Sequence, residues 1–218
     1  TQYTSSAASD VYKRQDLPKT LLKKYLKHCS NLSFNNISVD GDMSTNDTVV
    51  FSSTGNIKLN LKSKSTETKF LSFASNFFIR LCSLIVKDGE GATKFIKLNV
   101  INAKSFILAR EVSQKLSSSI LVKTAMFGED PNWGRIIASI GSVESNDIKP
   151  LNIKLMINNI LCFKNGISHD NGSKRLKNSM KKNKIEITVD LNHGNHEQST
   201  YFCDLSYDYV RINSEYTT

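Results

Sequence analysis

Residues 70–101, FLSFASNFFIRLCSLIVKDGEGATKFIKLNVI, switch from a helical to an extended apolar period within one segment, and that switch decides the fold class. Phe70, Ala74, Phe77, Phe78, Leu81 and Ile85 recur at helical spacing and predict a helix with a single apolar stripe. Asp88-Gly89 supplies its stop, because glycine enters the left-handed conformation that ends helices without steric cost. From 95 to 101 the chain reads as a strand, with Phe95, Leu98 and Val100 as its main apolar positions. Upstream, Leu17, Leu21, Leu22, Tyr25 and Leu26 mark another amphipathic helix, with Asp16 as its cap and Pro18 in its first turn. Residues 34–39 and 48–52 read as extended and lead to a Thr54-Gly55-Asn56 turn. Downstream, a helix starting after Asn102 carries Phe106, Ile107, Val112 and Leu116. The next is capped by Asp130, has Pro131 at its first position, turns Ile136, Ile137 and Ile140 to one face and closes at Gly141. Residues 151–157, 160–164, 185–191 and 200–212 read as strands. Helices followed by sheet, with a sheet-forming segment between them, give an α+β layered architecture whose carboxyl-terminal third is mostly antiparallel.

With 218 residues, 39% of them hydrophobic, the chain can bury a sizeable core, and one domain is expected over 16–218. Residues 1–15 are small and polar, with neither a helical stripe nor strand alternation. They are expected to be a disordered or non-native leader, translated from vector or adaptor DNA and fused to an amino-terminally truncated frame. The mostly apolar run 70–86 is broken by Ser72, Ser75, Asn76, Arg80 and Ser83, so it falls short of the roughly 18 apolar residues of a membrane span. No secretory signal is visible at the amino terminus, and a cytoplasmic protein without a membrane partner is expected. Cys29, Cys82, Cys162 and Cys203 lie far apart in apolar or helical contexts and read as buried reduced thiols. His193-Gly194-Asn195-His196 is a candidate metal pair, but its Gly/Asn turn favours solvated loop histidines, and no metal site is assigned.

The net charge of +9 raises the question of nucleic acid. Much of the excess is local: Lys174, Arg175, Lys177, Lys181, Lys182 and Lys184 fall within 172–184, a stretch with no aromatic residue for base stacking. It reads as a solvated excursion between strands, and a nucleic-acid partner is not expected.

Three polar stretches could carry chemistry. Asp40-Gly41-Asp42-Met43-Ser44-Thr45-Asn46-Asp47-Thr48 gathers carboxylates and hydroxyls, which suits either an oxygen-liganded cation or a turn closed by side-chain-to-backbone hydrogen bonds. It lacks the spacing of a calcium hand, and the turn is the favoured reading. Asp88-Gly89-Glu90-Gly91-Ala92-Thr93-Lys94 sets a carboxylate between two glycines, where Glu90 either projects toward a ligand or is solvated in a helix-to-strand turn. Glu129-Asp130-Pro131-Asn132-Trp133-Gly134-Arg135 is either an anion-attracting helix start assisted by Arg135 or a capped helix with Trp133 packed beneath it.

With Val39 before the first stretch, Phe127-Gly128 before the third, and the ending Arg211-Ile212-Asn213-Ser214-Glu215-Tyr216-Thr217-Thr218, the chain resembles the β-chain of an ornithine acetyltransferase over roughly 16–218. That family is also called bifunctional glutamate N-acetyltransferase. Its Val-Asp-Gly-Asp-Thr-Ser-Thr-Asn-Asp-Thr sequence is kept here except at Met43, and Lys123-Thr124-Ala125 also matches. The resemblance implies layers of helices enclosing two sheets, mixed or antiparallel, as in self-processing enzymes of this type. It implies acetyl transfer from N-acetylornithine to glutamate in arginine biosynthesis, with acetyl-coenzyme A as an optional second donor and no cofactor. The family precursor cuts itself, and the new amino-terminal threonine becomes the nucleophile, with its own α-amino group as base. Oxyanion donors come from the α-chain, so the implied partner is an α-chain of the same precursor, in a dimer of αβ units. By the same resemblance Glu90, Asn213 and Thr218 bind substrate. The family's Ala-Thr cleavage motif has no counterpart among Thr4, Ser5 and Ser6, so no catalytic nucleophile is assigned and the isolated chain is expected to be inactive. The alternatives are a self-processing aminopeptidase of the same architecture and a non-catalytic basic binding protein.

Overall fold

The computed structural model describes residues 8–43, 45–58, 61, 63–170 and 172–215. It is an α+β fold of helices and two sheets, one of two strands and one of seven. Where a single domain is expected over 16–218, contacts gather into two compact units. One holds residues up to 36 together with 42–85, and the other holds 37–41 together with 86–218.

In the first unit, β1 (Ala8–Asp16) runs parallel to β3 (Thr48–Lys58), with Ala8 opposite Thr48 and Asp16 opposite Lys58. A strand over Ala8–Asp16 is an element that the polar composition there does not announce; the rest of the expected leader lies outside the described residues. β3 also runs through Thr54-Gly55-Asn56, where the sequence suggests a turn; its register with β1 breaks across these three residues and resumes with Ile57 opposite Gln15. The helix α1 (Lys19–Asn31) starts after Pro18, whose missing amide costs nothing at a helix start, and not at Asp16 as its cap. Tyr25 and Cys29 of α1 pack with Phe70, Ala74 and Phe78 of α2 (Lys64–Lys87) and with Phe51 of β3. Phe78 receives Phe34 and Phe51 edge-on, at centroid distances of 5.5 and 5.9 Å. The Tyr25 hydroxyl donates to Glu67 at 2.9 Å, and burial, with this bond, pushes the phenol up to about 12. By length and composition α2 could cross a membrane, although its interrupted apolar run argued otherwise; a third of its most apolar window is buried within the protein.

The second unit is organised on a mixed sheet of order β2-β9-β4-β8-β5-β6-β7. Its strands are β2 (Ile37–Ser38), β4 (Phe95–Ala103), β5 (Lys154–Ile157), β6 (Ile160–Lys164), β7 (Ile167–Ser168), β8 (Lys184–Asp190) and β9 (His196–Cys203). The carboxyl-terminal third is mostly antiparallel, as expected: β5 pairs antiparallel with β6 and β8, β6 with β7, and β9 with β4, while β8 runs parallel to β4 and β9 parallel to β2. Strict alternation puts Ile96, Leu98 and Val100 of β4 and Ile185, Ile187 and Val189 of β8 on the buried face. Phe95 belongs to the opposite face, where it stacks on Tyr201, so one expected core position changes sides. Asn158 and Asn159 both take positive φ between β5 and β6, as a two-residue hairpin turn requires.

Helices α3 (Phe106–Ser117), α4 (Ile120–Phe127), α5 (Trp133–Gly141), α6 (Lys174–Met180) and α7 (Tyr207–Glu215) complete this unit. Ser105 and Ser119 cap α3 and α4 by accepting from the amides of Leu108 and Val122. The cap of α5 is Asn132, not Asp130. Residues 172–184 are not a solvated excursion, because Ser173 caps α6 and Leu176 and Met180 are fully buried. The region 200–212 is a strand only to Cys203 and then becomes α7, whose start is fixed by Ser206 Oγ accepting from the Tyr209 amide.

Cys29, Cys82, Cys162 and Cys203 are buried thiols, and burial pushes those of Cys162 and Cys82 up to about 11 and about 12. Iodoacetamide should therefore label the native protein at least about a thousandfold more slowly than the denatured chain, because reaction requires opening. A thiol that reacts in the native protein at the denatured rate would contradict this burial.

Candidate functional site

The motifs read from the sequence meet around α7. Glu90 lies in the loop between α2 and β4, and its Oε2 accepts from Asn213 Nδ2 at 2.8 Å. The same amide donates to the Tyr209 carbonyl at 3.0 Å, one turn back on α7. Both bonds require Nδ2 to face inward, so Asn213 Oδ1 is turned away from them. Among the described residues, Glu90 Oε1 and Asn213 Oδ1 have no hydrogen-bond partner. The pair thus offers a negative charge and two acceptor oxygens, a donor-poor arrangement suited to an ammonium group. Thr218 lies outside the described residues.

Two other motifs reach α7. The Tyr209 hydroxyl points at Asp40 Oδ2, 3.5 Å away, and Phe127 packs edge-on against Tyr207 with ring centroids 5.3 Å apart. Arg135 Nη1 donates to the Leu121 carbonyl at 2.9 Å and to Thr124 Oγ1 at 3.2 Å, tying α5 to α4. Trp133 stacks on Phe163, which bears out the packed alternative for that residue. No group of three or more His, Cys, Asp or Glu able to hold a metal occurs among the described residues.

The loop carrying Glu90 is held on several sides. The carbonyl of Gly91 accepts from Ser206 Oγ at 2.6 Å. Gly91 has φ +65, and a Cβ there would meet the Tyr209 nitrogen at 2.5 Å, so only glycine fits between loop and helix. The Asp204 carboxylate takes the amides of Thr93 and Lys94, both at 2.8 Å, and the Thr93 hydroxyl at 2.5 Å. Lys94 is buried, with its ammonium 2.8 Å from Glu129 and donating to the carbonyls of Met180 and Lys181. Glu129 stands at φ +54, a conformation glycine usually fills after a helix, and the ion pair holds it there.

Beneath these contacts lies Lys123, which is 1% exposed. Its ammonium donates to the carbonyls of Val39 at 2.6 Å and Cys203 at 2.7 Å and sits 5.3 Å from the Phe202 ring centroid. Burial pushes its pKa down, against the opposing pull of Cys203, Asp204 and Asp40. Lys123 thus ties the segment before Asp40 to the segment before Asp204. Sequence reading missed Asp204, Ser206 and Tyr209 and met Lys123 only as part of a matching stretch; the polar groups of all four act across 80 or more positions of chain.

A model of the ArgJ family matches residues 11–218. The glutamate N-acetyltransferase of Methanocaldococcus jannaschii is 43% identical over 215 residues, covering 93% of this chain and 52% of that protein. The arginine biosynthesis bifunctional protein ArgJ of Lactococcus lactis is 40% identical over 204 residues, covering 93% and 51%. The crystal structure of the arginine biosynthesis bifunctional protein ArgJ from Bacillus halodurans matches with a TM-score of 0.90 at 34% identity, covering 96% of this chain and 100% of that one. The chain spans about half the length of the curated relatives it matches.

Proposed function

The chain belongs to the ArgJ family, and from that premise we propose that it contributes the amino-acid-binding side of an acetyltransferase that moves an acetyl group from N-acetylornithine to glutamate in arginine biosynthesis. The observation that carries this reading is the Glu90–Asn213 hydrogen bond at 2.8 Å, which leaves two acceptor oxygens available to a substrate ammonium group. Glu90 pairs with the free amino group of the substrate, Asn213 accepts a further hydrogen bond, and Thr218 completes the site.

The acetyl group passes through a threonine ester. A threonine hydroxyl attacks the acetyl carbonyl of N-acetylornithine, the amide C–N bond breaks, and the ornithine amine leaves with the proton held by the α-amino base. The glutamate amine then attacks the ester carbonyl, forming N-acetylglutamate and returning the hydroxyl. An α-chain of the same precursor supplies the oxyanion donors, in an αβ hetero-oligomer of the cytoplasm.

The test is transacetylation with N-acetylornithine and glutamate by the αβ assembly in which this chain carries the family's amino-terminal threonine. Stoichiometric N-acetylglutamate and ornithine are expected, without hydrolysis of small peptides. Peptide cleavage with indifference to N-acetylornithine would replace this reading with an aminopeptidase.

A further inference from the structure

We propose that Asp204 is the positioning residue of the Glu90 loop, setting the carboxylate of Glu90 against Asn213. The consequence for substrate rests on the reading of Glu90 given above; the positioning itself does not. Asp204 is 2% exposed, and a carboxyl group that deep needs donors to satisfy its oxygens. All three of its donors come from Thr93 and Lys94, three and four positions after Glu90, where the loop enters β4. Two residues beyond Asp204, Ser206 holds the Gly91 carbonyl and caps α7 with the same hydroxyl. The segment 204–206 therefore grips the loop on both sides of Ala92 and also fixes the start of the helix that carries Asn213. By contrast, the Glu90–Asn213 bond is exposed, and water competes for both of its partners. The Lys123 ammonium adds a favourable charge interaction with Asp204 from the opposite side.

The chemistry of the three bonds separates positioning from simple packing. Oδ1 accepts both amides, and Oδ2 accepts only the Thr93 hydroxyl. An asparagine at 204 keeps the first two bonds through its oxygen and reverses the third, donating Nδ2–H to Thr93 Oγ1. An alanine loses all of them.

The experiment records the side-chain amide resonances of Asn213 by 1H–15N NMR in this chain, with Glu90→Ala as the reference for a broken contact. Asp204→Ala is expected to move the Asn213 signals to the Glu90→Ala position, while Asp204→Asn leaves them at the parental one. Should Asp204→Ala fail to fold, Thr93→Val, which removes one donor from an exposed side chain, is expected to move them part of the way. Parental signals in a folded Asp204→Ala, or in Thr93→Val where the alanine does not fold, would overturn the proposal. In the αβ assembly, Asp204→Ala should raise KM for N-acetylornithine about tenfold, with kcat less affected and Asp204→Asn within about twofold of the parent. A shift in the Asn213 signals with KM unchanged in both Glu90→Ala and Asp204→Ala would leave the positioning intact and overturn the substrate reading.

Discussion

Glu90→Gln in the αβ assembly is expected to lower kcat/KM for N-acetylornithine about a hundredfold, or about 2.7 kcal/mol. Glutamine has the same shape and can still accept from Asn213, so the loop contact survives while the charge is lost. What disappears is the charge-assisted hydrogen bond to the substrate ammonium, an interaction of about 1.5–3 kcal/mol that a neutral amide does not replace. Because Glu90 is half-buried and bonded to an exposed partner, thermal stability should change by about 0.5 kcal/mol or less. A loss of less than about threefold in kcat/KM, with the protein folded, would show that Glu90 does not face the substrate.

Lys123→Met is expected to destabilise the chain by about 2–4 kcal/mol, measured from the urea midpoint at constant slope. Methionine fills much of the same space but leaves the carbonyls of Val39 and Cys203 without their donor, each at a cost of about 1–3 kcal/mol. Relief of the buried ammonium's own desolvation offsets part of that cost, so the net falls below the sum. The pH dependence has a definite sign. The folded-state pKa of Lys123 lies below that of an ordinary lysine, so between the two values the unfolded chain binds more protons and stability rises with pH. Below that window both states are protonated and the contribution is flat. The parent should therefore gain stability relative to Lys123→Met as pH climbs toward the ordinary lysine pKa of about 10.4. An unchanged midpoint, or a difference that shrinks as pH rises, would contradict the role given to Lys123.

The helix-to-strand switch at 70–101 was legible because its period changes over many residues, and both α2 and β4 form there. Short elements were less legible. In α4, Ile120 and Leu121 are exposed, which blurs the apolar stripe of an eight-residue helix. The β-branched and aromatic side chains of Tyr207, Tyr209, Val210 and Ile212 favour a strand by propensity, but Ser206 turns the chain into a helix by capping it. In the lysine-rich stretch, charge hid Leu176 and Met180, which sit four apart and bury one face of α6. Glu90 and Asn213 were named from the resemblance, whereas their hydrogen bond across 123 positions has no local signature. Asp204 was invisible and Lys123 was only part of a matching stretch for the same reason, since nothing in their neighbours marks a buried charge.

The most direct measurement is a structure of the αβ assembly with ornithine bound. The expected result is an ornithine amino group within hydrogen-bond distance, about 2.7–3.2 Å, of the Glu90 carboxylate, with Asn213 Oδ1 accepting a second bond from the same molecule. Ornithine bound elsewhere, with Glu90 and Asn213 bonded only to each other, would contradict the assignment of this pair as the substrate site.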